Sequence, residues 1–160
     1  MKTFTFYNLG DPMKTSLNEL FARTKIRPSR ESYVFVGLRK TGHFDELLRR
    51  LDAFSSVTIE KDEISLVLKR KLWNRYSSHY REAKVSGPYR LIAFDIVMDL
   101  EVCGYFARIS KLLEETQISI MPVSTYLRDY VLVPEASYRK AVVTINRFLM
   151  RQRRIQSNRR

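Results

Sequence analysis

A single cysteine, Cys103, stands in the 160 residues, so neither an internal disulfide nor a cysteine-built metal site is available. The chain reads accordingly as a protein of a reducing compartment, expected to be cytoplasmic. Its two histidines, His43 and His79, lie far apart without a cysteine or carboxylate at ligand spacing, and no metal or cofactor is expected. Nothing approaches the roughly 20 consecutive apolar residues of a membrane-spanning helix, and the first residues lack a secretory apolar segment, so no membrane partner is expected. Gly-x-Ser-x-Gly, His-Glu-x-x-His and Gly-rich phosphate loops are all missing. Glu114 and Glu115 fit a solvated helix end better than an acid/base pair. These absences weigh against an enzyme.

Positive charge is what the chain has in excess. The net charge is +12, and the last ten residues hold Arg151, Arg153, Arg154, Arg159 and Arg160 with no acid. A second basic stretch runs over residues 69–90, where only Glu82 opposes seven cations. Either a polyanion surface or a solvated surface with a frayed end accounts for these runs.

Hydrophobic spacing supplies the elements. Ser16 with Glu19 three residues on forms a capping box ahead of a short helix over 15–23, and the Pro-containing stretch 25–30 is expected to break it. Residues 33–38 read as a strand. Phe44, Leu47, Leu48 and Leu51 mark a helix, and 54–59 with 64–68 mark a hairpin. The polar and aromatic segment 71–88 reads as a connection, with an optional short strand at 82–85. The order then begins again with a strand at 91–98, a helix after Gly104, strands at 118–123 and 130–133, and a final helix opened by Pro134 and Glu135. A βαββα run in the second half, whose opening four elements the first half repeats, implies an α+β fold of two ferredoxin-like modules, with antiparallel sheets and helices on one face, because right-handed crossovers put both helices of a module on the same side. The expected divisions are 1–30 as lead-in, 31–70 and 89–150 as modules, 71–88 as connection, and 151–160 as a disordered basic tail.

Four segments carry a family resemblance: Tyr33-Val34-Phe35-Val36, Cys103-Gly104-Tyr105-Phe106, Ile118 to Tyr126 with its Val123-Ser124-Thr125-Tyr126 end, and Asp129-Tyr130-Val131-Leu132-Val133-Pro134. In identity and spacing they resemble the ACT-domain family, small-molecule sensing modules of βαββαβ form, and within it a two-module branch that includes cytosolic arginine sensors. The resemblance covers about residues 30–149. It implies a non-catalytic regulator that binds an amino acid or similar small metabolite in a cleft between the modules. Its other implied partners are a second copy in a homodimer or a regulated protein. The implied ligand-binding residues are Asp99, Glu101, Val102, Cys103, Gly104 and Tyr105 on one side and Ser124, Thr125 and Asp129 on the other. The chemistry agrees with that placement, since helix N-terminal amides suit a carboxylate, hydroxyls suit a zwitterion and an Asp suits an amine. Val102 stands where the arginine sensors have an acid, which argues against simple transfer of arginine specificity.

Alternatives from other classes remain at this stage. A ferredoxin-like sheet with a basic tail also suits a nucleic-acid-associated protein contacting its partner through Arg151, Arg153, Arg154, Arg159 and Arg160, although neither candidate strand carries the aromatic RNA-recognition pattern. A ligand-free assembly or dimerisation module is the other alternative.

Overall fold

The computed structural model describes residues 16–40 and 45–158. Arg159, Arg160 and His43 lie outside them. Element order is α1 (Leu17–Arg23), β1 (Lys25–Arg39), α2 (Asp45–Arg49), β2 (Ser56–Ile59), β3 (Glu63–Lys69), α3 (Arg70–Tyr76), β4 (Lys84–Asp95), α4 (Tyr105–Glu114), β5 (Met121–Ser124), β6 (Asp129–Pro134) and α5 (Tyr138–Ser157), with single 3-10 turns after α3 and before α5. The α+β fold and the repetition of strand, helix, strand, strand are as expected, and the first half adds a second helix, α3. The six strands, however, make one antiparallel sheet in the order β2-β3-β1-β4-β6-β5 rather than two.

That order has an internal symmetry. Tyr33 pairs with Lys69, the last residue of β3, and Tyr89 pairs with Pro134, the last residue of β6, while Tyr33 and Tyr89 pair with each other. A pseudo-twofold therefore passes between the two tyrosines. Each half lacks a fourth strand of its own and uses the first strand of the other half in that place. All helices pack on one face, and two apolar clusters follow from the alternation of inward residues. Val34, Val36, Leu38, Ile64, Leu66 and Leu68 meet Leu47 and Trp73 in the first half. Ile92, Phe94, Val131 and Val133 meet α1, α4 and α5 in the second, through Phe21, Ile109, Leu113, Ile145 and Leu149. On the opposite sheet face Tyr33, Val67, Leu91 and Leu132 are shielded by larger neighbours, among them Phe54, whose ring lies 4.6 Å from Tyr130.

Three segments differ from the sequence reading. Residues 25–30 are not a break but the opening of β1, with Lys25 to Pro28 paired to Asp95 to Ile92. Pro28 is tolerated because the ladder bulges immediately after it, where a missing N–H costs nothing. The bulge is clamped: the Ser29 carbonyl accepts from Arg90 Nη2 at 2.6 Å and from the Tyr138 hydroxyl at 2.7 Å, with the Arg90 guanidinium 4.3 Å over the Tyr138 ring.

The segment read as a connection, 71–88, holds α3 and the start of β4. Leu72, Trp73 and Tyr76 bring apolar surface to the first-half core, and Trp73 stacks on Tyr80 at 6.0 Å. Gly87 and the cis Gly87–Pro88 peptide sit inside β4 at its own bulge, where a Cβ on Gly87 would come within 3.1 Å of the Tyr33 carbonyl oxygen.

The basic tail, expected to be disordered, is helical through Ser157. Arg and Gln are good helix formers, no Gly or Pro interrupts, and cations near a helix C-terminus complement its dipole. Tertiary contacts add to this: Arg153 donates to the Ala22 and Thr24 carbonyls at the end of α1, at 3.2 and 2.7 Å, and Gln156 donates to Glu19.

Candidate ligand cleft

β4 ends at Asp95, and the chain then crosses residues 96–104 before entering α4. Beside that loop stands the β5–β6 hairpin, whose register pairs Ser124 with Asp129. Between them opens a cleft of about 610 Å³, within the range that takes a small ligand. Its walls are apolar, from Ile96, Met98, Val102, Phe106, Leu127 and the ring of Tyr105, and its polar groups include Asp99, Ser124, Thr125, Arg128 and Asp129. Every lining residue comes from the second half. The cleft thus lies within one module, not at the seam where it was expected, because the seam is filled by the β1–β4 ladder.

Six of the nine residues named from the sequence line the cleft: Asp99, Val102, Tyr105, Ser124, Thr125 and Asp129. Glu101, Cys103 and Gly104 do not. Glu101 is exposed and gives its backbone N–H to Asp99 Oδ1 at 3.0 Å, and Cys103 is exposed. Gly104 takes φ +85° at the N-cap of α4, and a Cβ there would stand 3.3 Å from Leu17 Cδ1, so the residue is glycine for backbone conformation and close packing of α1. Among the described residues no side chain caps α4, and its first amides lack intrahelical partners.

The hydroxyls are less available than the sequence implied. Ser124 Oγ donates to Asp129 Oδ1 at 2.6 Å, while Thr125 closes the hairpin turn, its hydroxyl donating to the Arg128 carbonyl at 3.0 Å and accepting the Arg128 N–H at 3.2 Å. What they do is fix Asp129 and Arg128 at the cleft. Neither Asp99 nor Asp129 has a cationic partner among the described residues.

Arg128 was not named from the sequence. Its Nε donates to Asp95 Oδ1 at 3.2 Å, while Arg27 of β1 holds the other oxygen at 2.6 Å. Hydrogen bonding from Arg27, then from Arg128, keeps the Asp95 carboxyl below the usual carboxylate range. The signal was invisible in sequence because the Arg128–Asp95 contact spans 33 positions and follows from the pairing of Phe94 with Asp129.

Tyr105 joins the cleft to the rest of the fold. Its ring stacks on Phe21 of α1 at 4.6 Å, and its hydroxyl lies 2.9 Å from Thr24 Oγ1, a fully buried group. Burial, and secondarily the charge of Asp129, pushes the phenol well above its ordinary pKa.

Comparison with known proteins bears on this arrangement. Residues 85–147, from β4 into α5, match the family model described as the ACT domain. That segment is similar to an ACT domain. ACT domains are generally regulatory modules that bind small molecules such as amino acids. Among solved structures, a Vibrio cholerae protein of unknown function, described as a possible transport protein, has a TM-score of 0.67 at 22% identity over 84% of this chain and 96% of its own. An Agrobacterium tumefaciens protein follows at 0.63 and 21%, over 78% and 88%. The ligand-free regulatory subunit of aspartate kinase from Thermus thermophilus has a TM-score of 0.57 at 11%, over 77% and 96%. At such identities the likeness is one of fold. No curated protein matches the chain. Among the described residues no three His, Cys, Asp or Glu gather as a metal site, and no helix is long and apolar enough to cross a membrane.

Proposed function

We propose that the protein is a non-catalytic cytoplasmic regulator whose ACT-domain cleft binds an amino acid with an apolar side chain. The observation that carries this reading is the pairing of unneutralised Asp129 and Asp99 with Arg128 and the uncapped α4 N-terminus across apolar walls. A zwitterion meets each need: its ammonium group sits with the carboxylates, its carboxylate with Arg128 and the α4 amides, and an aliphatic or aromatic side chain with Met98, Val102, Phe106 and Leu127. Arginine fits less well, because its guanidinium would face those walls unpaired.

A thermal-shift screen of the twenty amino acids tests the reading. A true ligand at a hundred times its dissociation constant stabilises by about 2.7 kcal/mol, a rise of about 5–10 °C for a chain of this size. Apolar amino acids are expected to give the shift, and Asp129→Asn and Arg128→Gln to remove it while the unliganded melting temperature stays within a few degrees. No shift from any amino acid, or one untouched by both substitutions, refutes the proposal.

A further inference from the structure

The side of α5 turned away from the sheet has no role in the fold. Ala141, Ile145 and Leu149, at 1% exposure or less, bury the inner side. At 100° per residue, Arg139, Arg147, Arg151 and Arg154 all fall within about 60° of the direction opposite Ile145, along about 22 Å of helix. All four are exposed, and none forms an ion pair or side-chain hydrogen bond among the described residues. No acid follows Glu135 in the sequence, so nothing on this helix offsets them. The array continues onto α1: Arg153 is bound to the Thr24 carbonyl, and exposed Arg23 and Lys25 flank Thr24.

Parallel guanidinium groups on one rigid face repel one another, and an extended polyanion relieves that repulsion. Two polyanionic surfaces are conceivable, and the helix distinguishes them. Insertion into a lipid interface needs a free apolar face, but the apolar face of α5 is spent on the core, and its exposed large apolar residues, Val143, Met150 and Ile155 at 41%, 51% and 44% exposure, are scattered among the arginines rather than gathered as a face. Phosphate binding needs only Arg forks, which grip phosphate oxygens in a bidentate way. No aromatic residue lies among the exposed residues of α5, so bases have nothing to stack on.

We propose that the outward face of α5 is a docking surface for the phosphate backbone of nucleic acid, engaged without reading base sequence. The test is fluorescence anisotropy of the full chain with a labelled mixed-sequence DNA duplex of about 20 base pairs, site enough for a helix face of this length. Four phosphate contacts give a slope near −3.6 in log affinity against log salt, so affinity falls about 150-fold between 50 and 200 mM salt. The variant R139Q/R147Q/R151Q/R154Q is expected to lose about 100-fold or more at 50 mM and to flatten that slope, with circular dichroism and melting temperature unchanged. Removing charges away from α5, R75Q/R81Q/K84Q, is expected to cost less than about threefold. If the quadruple variant loses helix, the pairs R139Q/R147Q and R151Q/R154Q carry the same comparison. Absence of duplex binding at 50 mM salt, equal losses in both sets of variants, or binding to phosphatidylserine vesicles without binding to the duplex overturns the proposal.

Discussion

Thr24 and Tyr105 allow a proton to be assigned from geometry and the assignment to be tested. Thr24 is fully buried, and its hydroxyl donates to the Leu20 carbonyl at 2.8 Å. A hydroxyl has one proton, so at the 2.9 Å contact with Tyr105 the phenol must be the donor. The two partners are therefore unequal. Thr24→Val removes the acceptor and strands a buried phenol, while the Leu20 carbonyl keeps the residue 24 N–H at 2.9 Å; the cost is about 2 kcal/mol. Tyr105→Phe removes a donor and leaves Thr24 satisfied by Leu20, for about 1 kcal/mol. With both groups gone nothing is stranded, and the double variant should lose about 1 kcal/mol rather than the sum of about 3. Urea unfolding of the four proteins measures this, and at 2–4 °C per kcal/mol Thr24→Val alone lowers the melting temperature by about 4–8 °C. If Thr24→Val is no worse than Tyr105→Phe and the two costs add, the proton assignment is wrong.

Two further outcomes follow from single residues at the cleft. Gly104→Ala forces a Cβ into the left-handed region at φ +85° and toward Leu17 Cδ1 at 3.3 Å. It should cost about 1–2 kcal/mol by thermal melting, more than Gly104→Asn, whose short polar side chain tolerates that conformation. Asp95 titrates below its ordinary value, so its contribution is present above the unfolded carboxylate pKa of about 3.9 and is lost as pH falls through the lower folded value. Asp95→Asn should therefore lower the melting temperature at pH 7, modestly because Arg27 is 67% exposed, and match the parent protein near pH 2; a gap that persists there contradicts the ion-pair account.

Local periodicity made the helices at Leu17–Arg23 and Tyr105–Glu114 and the hairpins legible, because each depends on neighbours a few positions away. The capping box of Ser16 and Glu19 is present as read. What the sequence obscured was long-range. Pro28 signals a break unless its own strand bulges beside it, and Gly87–Pro88 signals a turn unless it lies within a ladder. The polar side of α3 hid the anchoring of Trp73 in the core, and the arginines of α5 resembled a frayed end because the carbonyls that hold Arg153 lie 129 and 131 positions away. At the cleft, the Asp99 and Asp129 sides were suggested by the family resemblance, and both line the cavity. Arg128 was not, since its orientation depends on a strand partner.

The exchange of first strands means that the family-matching segment is not a self-sufficient unit. Within residues 85–147 the edge of β4 is closed only by β1, from Lys25 to Gly37. The core beneath it takes Leu20 and Phe21 from α1 and Ile26 from β1, and Asp95, which holds Arg128 at the cleft, is itself held by Arg27. Segments N-terminal to the first half's core thus complete the second half's core, while Lys84 to Ser86 of the second half run beside Phe35 to Gly37 of the first. Apolar contacts and ladder bonds shared in both directions leave no boundary at which one half can open without exposing the other, so the halves should unfold in one transition. The same interleaving gives a ligand in the cleft a route outward: Tyr105 bears on Phe21 and Thr24, and the Thr24 carbonyl bears on Arg153 of α5, linking the cleft to the basic helix through atoms in direct contact.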